Sequence, residues 1–160
     1  MKKLLLSCFL LALLLAGAHP TAAQELQVFA ARDFAAALKE IGAQFHGQTG
    51  FAVDFHWGDS TALAEKIIRT DRLPDVFFPA SEAAMQLVVQ KGLVDVALKR
   101  NILVMPAAAP AADEAAPEVD YTSAAVLLDA ANRLQAMAFL EYLVSETAQT
   151  VFARHGFALP

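Results

Sequence analysis

Along the chain, apolar positions alternate between the two-residue period of a strand and the three-to-four-residue period of a helix. Leu26-Gln27-Val28-Phe29 reads as a short buried strand that breaks at Ala30-Ala31-Arg32 and turns straight into a helix. That helix carries one apolar stripe, Phe34, Ala37, Leu38, Ile41 and Phe45, and ends in His46-Gly47-Gln48-Thr49-Gly50. A second strand over 51–57 sets Phe51, Val53, Phe55 and Trp57 against Ala52, Asp54 and His56, so one face is expected to be more exposed. After the turn Gly58-Asp59-Ser60-Thr61, Leu63, Ile67 and Ile68 mark a second helix that ends near Thr70.

Asp75-Val76-Phe77-Phe78 suits a central parallel strand. Ser81 is placed to cap a third helix with Glu82 in its first turn, Met85, Val88 and Val89 as its stripe, and Lys91-Gly92 as its stop. A short connection over 93–98 and a fourth strand over 101–105 follow. Strand–helix repeats of this length predict parallel βαβ units with right-handed crossovers. The expected fold class is α/β, a three-layer doubly wound, mostly parallel sheet.

The pattern lapses at 106–120, which holds seven alanines, three prolines, four acidic residues and one valine. This segment reads as a flexible or semi-extended linker, since Pro110 and Pro117 interrupt an alanine-rich helix. Beyond it, 121–128 looks like another strand. Asn132 is expected to cap a helix with Leu134, Met137, Leu140, Leu143 and Val144 inward, and Ser145 to start a last helix that stops at His155-Gly156. Residues 24–105 and 121–160 are thus read as two parts of one α/β lobe.

The N-terminus changes how the composition is read. Lys2 and Lys3, the apolar run 4–16 and the small residues Thr21-Ala22-Ala23 predict a secretory signal peptide over 1–23, and hence a periplasmic location. Cys8 would leave with it, so stability must come from a core and not from disulfides. Without Lys2 and Lys3, ten basic residues face seventeen acidic ones, a net charge of −7. That balance argues against nucleic acid or an anionic membrane surface as partner, but not against a small anion held by local N–H groups.

The two strand-to-helix turns carry the candidate chemistry. A helix start presents unpaired N–H groups and the positive end of the dipole, a natural anion site. Asp33 is expected to cap the first helix, and Arg32 beside it either offers its guanidinium to an anion or, as the favoured reading, pairs with Asp33 or Asp59. Ser60 and Thr61 stand at the second turn, where the bland reading of Ser60 is again a helix cap. His46, His56 and His155 show no i, i+4 metal spacing. No activated serine, glycine-rich phosphate loop or paired-carboxylate motif appears, so neither enzyme activity nor a metal or cofactor is expected.

Four stretches, LQVFAARDFAAALKEIGAQFHGQTG, FHWGDSTALAEKI, LPDVFFPASEAAMQLVVQKGLVD and AMAFLEYLVSETAQTVFARHGFALP, run in the order seen in periplasmic molybdate-binding proteins of ABC transporters, and the chain resembles that family. The resemblance implies capture of an oxyanion, molybdate or tungstate-like, between two lobes and its delivery to an ABC permease. It also implies ligand contacts at Ser60 and at the position of Asp33, and the candidate contacts around these two turns are Ala31, Arg32, Asp33, Asp59, Ser60 and Thr61. Two departures alter the expectation. Only 106–120 stands where the family has a second lobe, which implies a single-lobe version. Asp33 stands where the family has an oxyanion-binding serine, and an aspartate about 4 Å from a dianion repels it by several kcal/mol at an effective dielectric near 20. The expected function is a solute-binding-like protein with weakened or altered oxyanion binding. The alternative is a ligand-free protein-interaction module or vestigial scaffold, acting as a homodimer.

Overall fold

The computed structural model describes residues 25–105 and 120–160. The expected signal peptide and nearly all of the expected linker therefore lie outside the described residues. The elements are β1 (Leu26–Ala31), a 3-10 turn (Arg32–Phe34), α1 (Ala35–Thr49), β2 (Val53–Gly58), α2 (Ser60–Arg69), β3 (Val76–Phe78) and α3 (Glu82–Gln90). Then come β4 (Val94–Met105), β5 (Asp120–Leu127), α4 (Arg133–Leu143) and α5 (Glu146–Arg154).

The strands form one sheet in the order β2-β1-β3-β5-β4. β1 pairs in parallel with β2 and β3, while β5 pairs antiparallel with both β3 and β4. Four strands therefore run one way and β5 alone runs against them. The sheet is mostly parallel, as the repeats predict.

Strand alternation divides the sheet into two apolar faces, each covered by helices. Val28, Ala30, Val76, Phe78, Ile102 and Val126 face α1, α4 and α5, where Phe45 meets Phe139 edge-on at 5.1 Å. Phe77, Ala125 and Leu127 face α2 and α3 through Leu63, Ile67, Met85 and Val88. Each such large side chain, fully buried, contributes about 1.5–3 kcal/mol. α1 approaches β2 so closely that a Cβ on Gly42 would lie 2.7 Å from the ring of Phe55. Gly50, at φ 78°, ends the helix in the left-handed conformation that glycine adopts without strain.

Three expectations need correction. The connection expected over 93–98 is strand from Val94 onward, because β4 runs unbroken from Val94 to Met105 with register shifts against β5. Its charged residues serve the edge: Lys99 pairs with Glu82, Asp95 with Arg133, and Arg100 with Glu141 at 3.1 Å. The stripe of α4 is Ala136, Phe139, Leu140 and Leu143, whereas Leu134 is 76% exposed and Met137 and Val144 also face solvent. Asn132 occupies the cap position of α4 without a side-chain capping bond.

The Asn132 side chain serves a staple at the amino ends of the strands. Asp75, 1% exposed, accepts from the backbone N–H of Gln27 at 2.9 Å and of Asn132 at 2.8 Å, and from Asn132 Nδ2 at 3.0 Å. Its own backbone N–H donates to Gln27 O, and its carbonyl accepts from Leu127 N–H. One residue thereby locks β1, β3, β5 and the start of α4.

Candidate functional site

The opposite edge of the sheet is built differently. In-register pairing sets Ala31 beside Gly58. Neighbouring strands lie about 4.8 Å apart, so the residues leaving β1 and β2 emerge side by side over the carboxyl ends of the strands. In open α/β sheets this is the edge at which ligands bind.

After Ala31 the chain enters the 3-10 turn with Ala31, not Asp33, in the cap position, and no side chain caps it. Asp33 sits inside the turn and makes no capping bond, because the helical path begins two residues earlier than its sequence position implies. Phe34 anchors the turn from below: it is buried, stacked on Phe78 at 4.9 Å and tilted against Phe157 at 5.2 Å. The N–H groups of this turn thus keep the site character of a helix start without an internal side-chain acceptor.

The second turn is filled from within. Asp59 is the cap of α2, and its Oδ1 accepts from Thr61 N–H at 3.0 Å and Ala62 N–H at 3.1 Å. Ser60 is therefore not the cap. It is buried, and its Oγ accepts from Ala80 N–H at 2.9 Å just past β3. With an oxygen lone pair engaged there, the hydroxyl retains its proton for donation. This bond also draws the exit of β3 toward the ends of β1 and β2.

A cleft of about 230 Å³ opens here, lined by Ala31, Arg32, Asp33, Gly58, Asp59 and Ser60. It gathers five of the six residues singled out in the sequence; Thr61 does not line it. Gly58 is the lining residue the sequence reading left out, although it directly precedes Asp59 and ends a strand. A Cβ there would lie 2.8 Å from Leu63, so the backbone at this corner is closely packed. Among the described residues Arg32 forms no ion pair, so the expected pairing with Asp33 or Asp59 is not made.

The three ionisable side chains of the cleft, Arg32, Asp33 and Asp59, are exposed. Their formal charges sum to −1. The cleft offers N–H, hydroxyl and guanidinium donors beside carboxylate acceptors, an arrangement suited to binding a small polar solute. The histidines lie elsewhere: His56 Nε2 is 2.8 Å from Lys66 Nζ, and His155 bonds Glu40 at 3.1 Å. Among the described residues no group of three His, Cys, Asp or Glu could hold a metal ion.

The family model for bacterial extracellular solute-binding proteins matches residues 26–119 and 108–158. Solved structures share the fold at low identity. The substrate-binding domain assigned to a molybdenum ABC transporter from Clostridium difficile superposes with a TM-score of 0.73 at 12% identity, covering 85% of this chain and 99% of that one. The periplasmic molybdate-binding protein of Azotobacter vinelandii gives 0.72 at 15% identity, covering 85% and 100%. Iron-bound HitA from Pseudomonas aeruginosa gives 0.65 at 12% identity, covering 83% and 85%. No curated protein matches the chain. With matched segments reaching from residue 26 to residue 158, the chain belongs to the bacterial extracellular solute-binding protein family.

Proposed function

We propose that this solute-binding protein is a periplasmic, single-lobe version that receives a small solute in the cleft over β1 and β2 and presents it to an ABC permease. The observation that carries this reading is the uncapped turn Arg32–Phe34 beside the Ser60 hydroxyl, both opening on one cleft at the carboxyl edge. Ala31, Arg32, Asp33, Gly58, Asp59 and Ser60 are the contacts, with Thr61 acting behind Asp59. Structural neighbours named for molybdate and for iron support a solute role for the fold while leaving its chemistry open.

Oxyanions of the molybdate and tungstate kind bind weakly on this reading, because Asp33 and Asp59 oppose a dianion and a single lobe leaves it half solvated. Amide-resolved NMR titration with molybdate, tungstate and sulfate tests the placement. The amides of residues 32–34 and 60–62 shift first, with dissociation constants above the micromolar range. Shifts confined to another part of the molecule would reject the cleft.

A second reading, a protein-interaction module, draws on the exposed Leu134, Val96 and Leu128, which are 76%, 64% and 47% accessible. Light scattering over a dilution series separates the two. A dimer that persists on dilution favours this second reading, and a monomer favours the first.

A further inference from the structure

The charges around the cleft identify a solute class, on the reading that the cleft is the solute site. Arg32 makes no ion pair among the described residues, and Asp33 makes no capping bond. Asp59 uses Oδ1 for the two N–H groups of α2, and its second oxygen has no hydrogen-bond partner among the described residues. One cation and two carboxylates, each exposed, therefore line a cavity of about 230 Å³ without neutralising one another through contact. A simple anion would meet Arg32 and the turn N–H groups favourably but both carboxylates unfavourably. A simple cation would meet the reverse.

A solute carrying both charges satisfies the whole set. We propose that the cleft selects a small zwitterion, an ammonium joined to a carboxylate. The carboxylate sits at Arg32 and the N–H groups of the 3-10 turn, and the ammonium sits between Asp33 and Asp59. Ser60, held by Ala80 N–H, donates its hydroxyl proton to the carboxylate end. The volume of about 230 Å³ has room for a solute of few heavy atoms. In this arrangement Asp33 is a specificity residue that recognises the second charge of the ligand.

The test uses the full chain and four probes followed by amide NMR: L-alanine, acetate, methylammonium and molybdate. L-alanine is expected to shift the amides of residues 32–34 and 59–61 with a dissociation constant about tenfold or more below those of the other three, a factor set by the second charge contact. Asp33→Asn, which alters an exposed side chain and removes no capping bond, should weaken L-alanine about tenfold and strengthen acetate and molybdate. Tighter binding of acetate or molybdate than of L-alanine at these amides would overturn the zwitterion assignment while leaving the cleft as the site. If no probe moves these amides even at tens of millimolar, both the assignment and the cleft reading fall.

Discussion

Replacing Asp75 with alanine removes the acceptor for Gln27 N–H, Asn132 N–H and Asn132 Nδ2 from a site only 1% exposed. Each orphaned donor costs about 1–3 kcal/mol when no water can reach it. The three are not independent, since two belong to Asn132. A total near 4 kcal/mol is the expected loss, at the upper end of what single substitutions do. Folded domains have only about 5–15 kcal/mol to lose, so the variant should fold but sit close to its limit.

Urea denaturation followed by circular dichroism reads this directly. With a slope of about 2 kcal/mol per molar urea, the midpoint should fall by roughly 2 M. Asp75→Asn keeps one acceptor oxygen and sets an amide against a donor, so its loss should fall between those of the parent and Asp75→Ala. A loss below about 1 kcal/mol for Asp75→Ala at unchanged slope would refute the claim that this carboxylate staples β1, β3 and α4. Because Asp75 lies at the amino edge of the sheet, amide shifts on ligand addition in the folded variant should match those of the parent.

Two further perturbations probe the packing and the edge strand. Gly42→Ala should lose about 1–3 kcal/mol despite the better helix former, because its Cβ would meet a Phe55 ring stacked on Trp57 at 4.8 Å. Gly47→Ala in the same helix meets nothing within 4 Å and should gain about 0.5–1 kcal/mol; equal effects at the two sites would refute the close α1–β2 contact. At Glu82, burial pushes the carboxyl up, but bonds from Lys99, Gln86 and Ser123 outweigh it and hold the group below the ordinary carboxylate range. A lowered folded value means stability present above the unfolded value of about 4.3 and lost as pH falls through the folded one. Glu82→Gln should therefore cost about 1 kcal/mol at pH 7, with the gap to the parent closing toward pH 3, as urea midpoints at both pH values would report.

Long regular stripes were legible in the sequence because large apolar residues mark them. Phe34, Ala37, Leu38, Ile41 and Phe45 are all buried, as their spacing predicts. In α4 the same logic misled, since Leu134 and Met137 outweigh Ala136 by size while the small Ala136 is the residue against the core. Packing close to another element favours small side chains there, and hydropathy does not register that. The first half of β4 reads as a connection because its charged residues look like loop, whereas on an edge strand they pair with helices; its second half, over 101–105, is the strand that the apolar run predicts.

The reversed direction of β5 comes from its pairing with both β3 and β4, which no local pattern encodes. At the cleft, residue types identified the two turns but not the division of labour between them. Asp33 and Asp59 occupy similar places before helices, yet only Asp59 caps. The difference lies in where the backbone first turns helical, at residue 32 in one case and residue 60 in the other.

The central claim is that the cleft over β1 and β2 is the solute site and that Asp33 sets its charge preference. Calorimetric titration of molybdate into the parent and into Asp33→Ser tests it most directly. A unit charge about 4 Å from a dianion costs about 2 kcal/mol even at the dielectric of water, so removing it should tighten binding on the order of tenfold after salt screening. Binding weaker than micromolar by the parent and tighter binding by the serine variant are expected. Sub-micromolar binding by the parent, unchanged by Asp33→Ser, would contradict it.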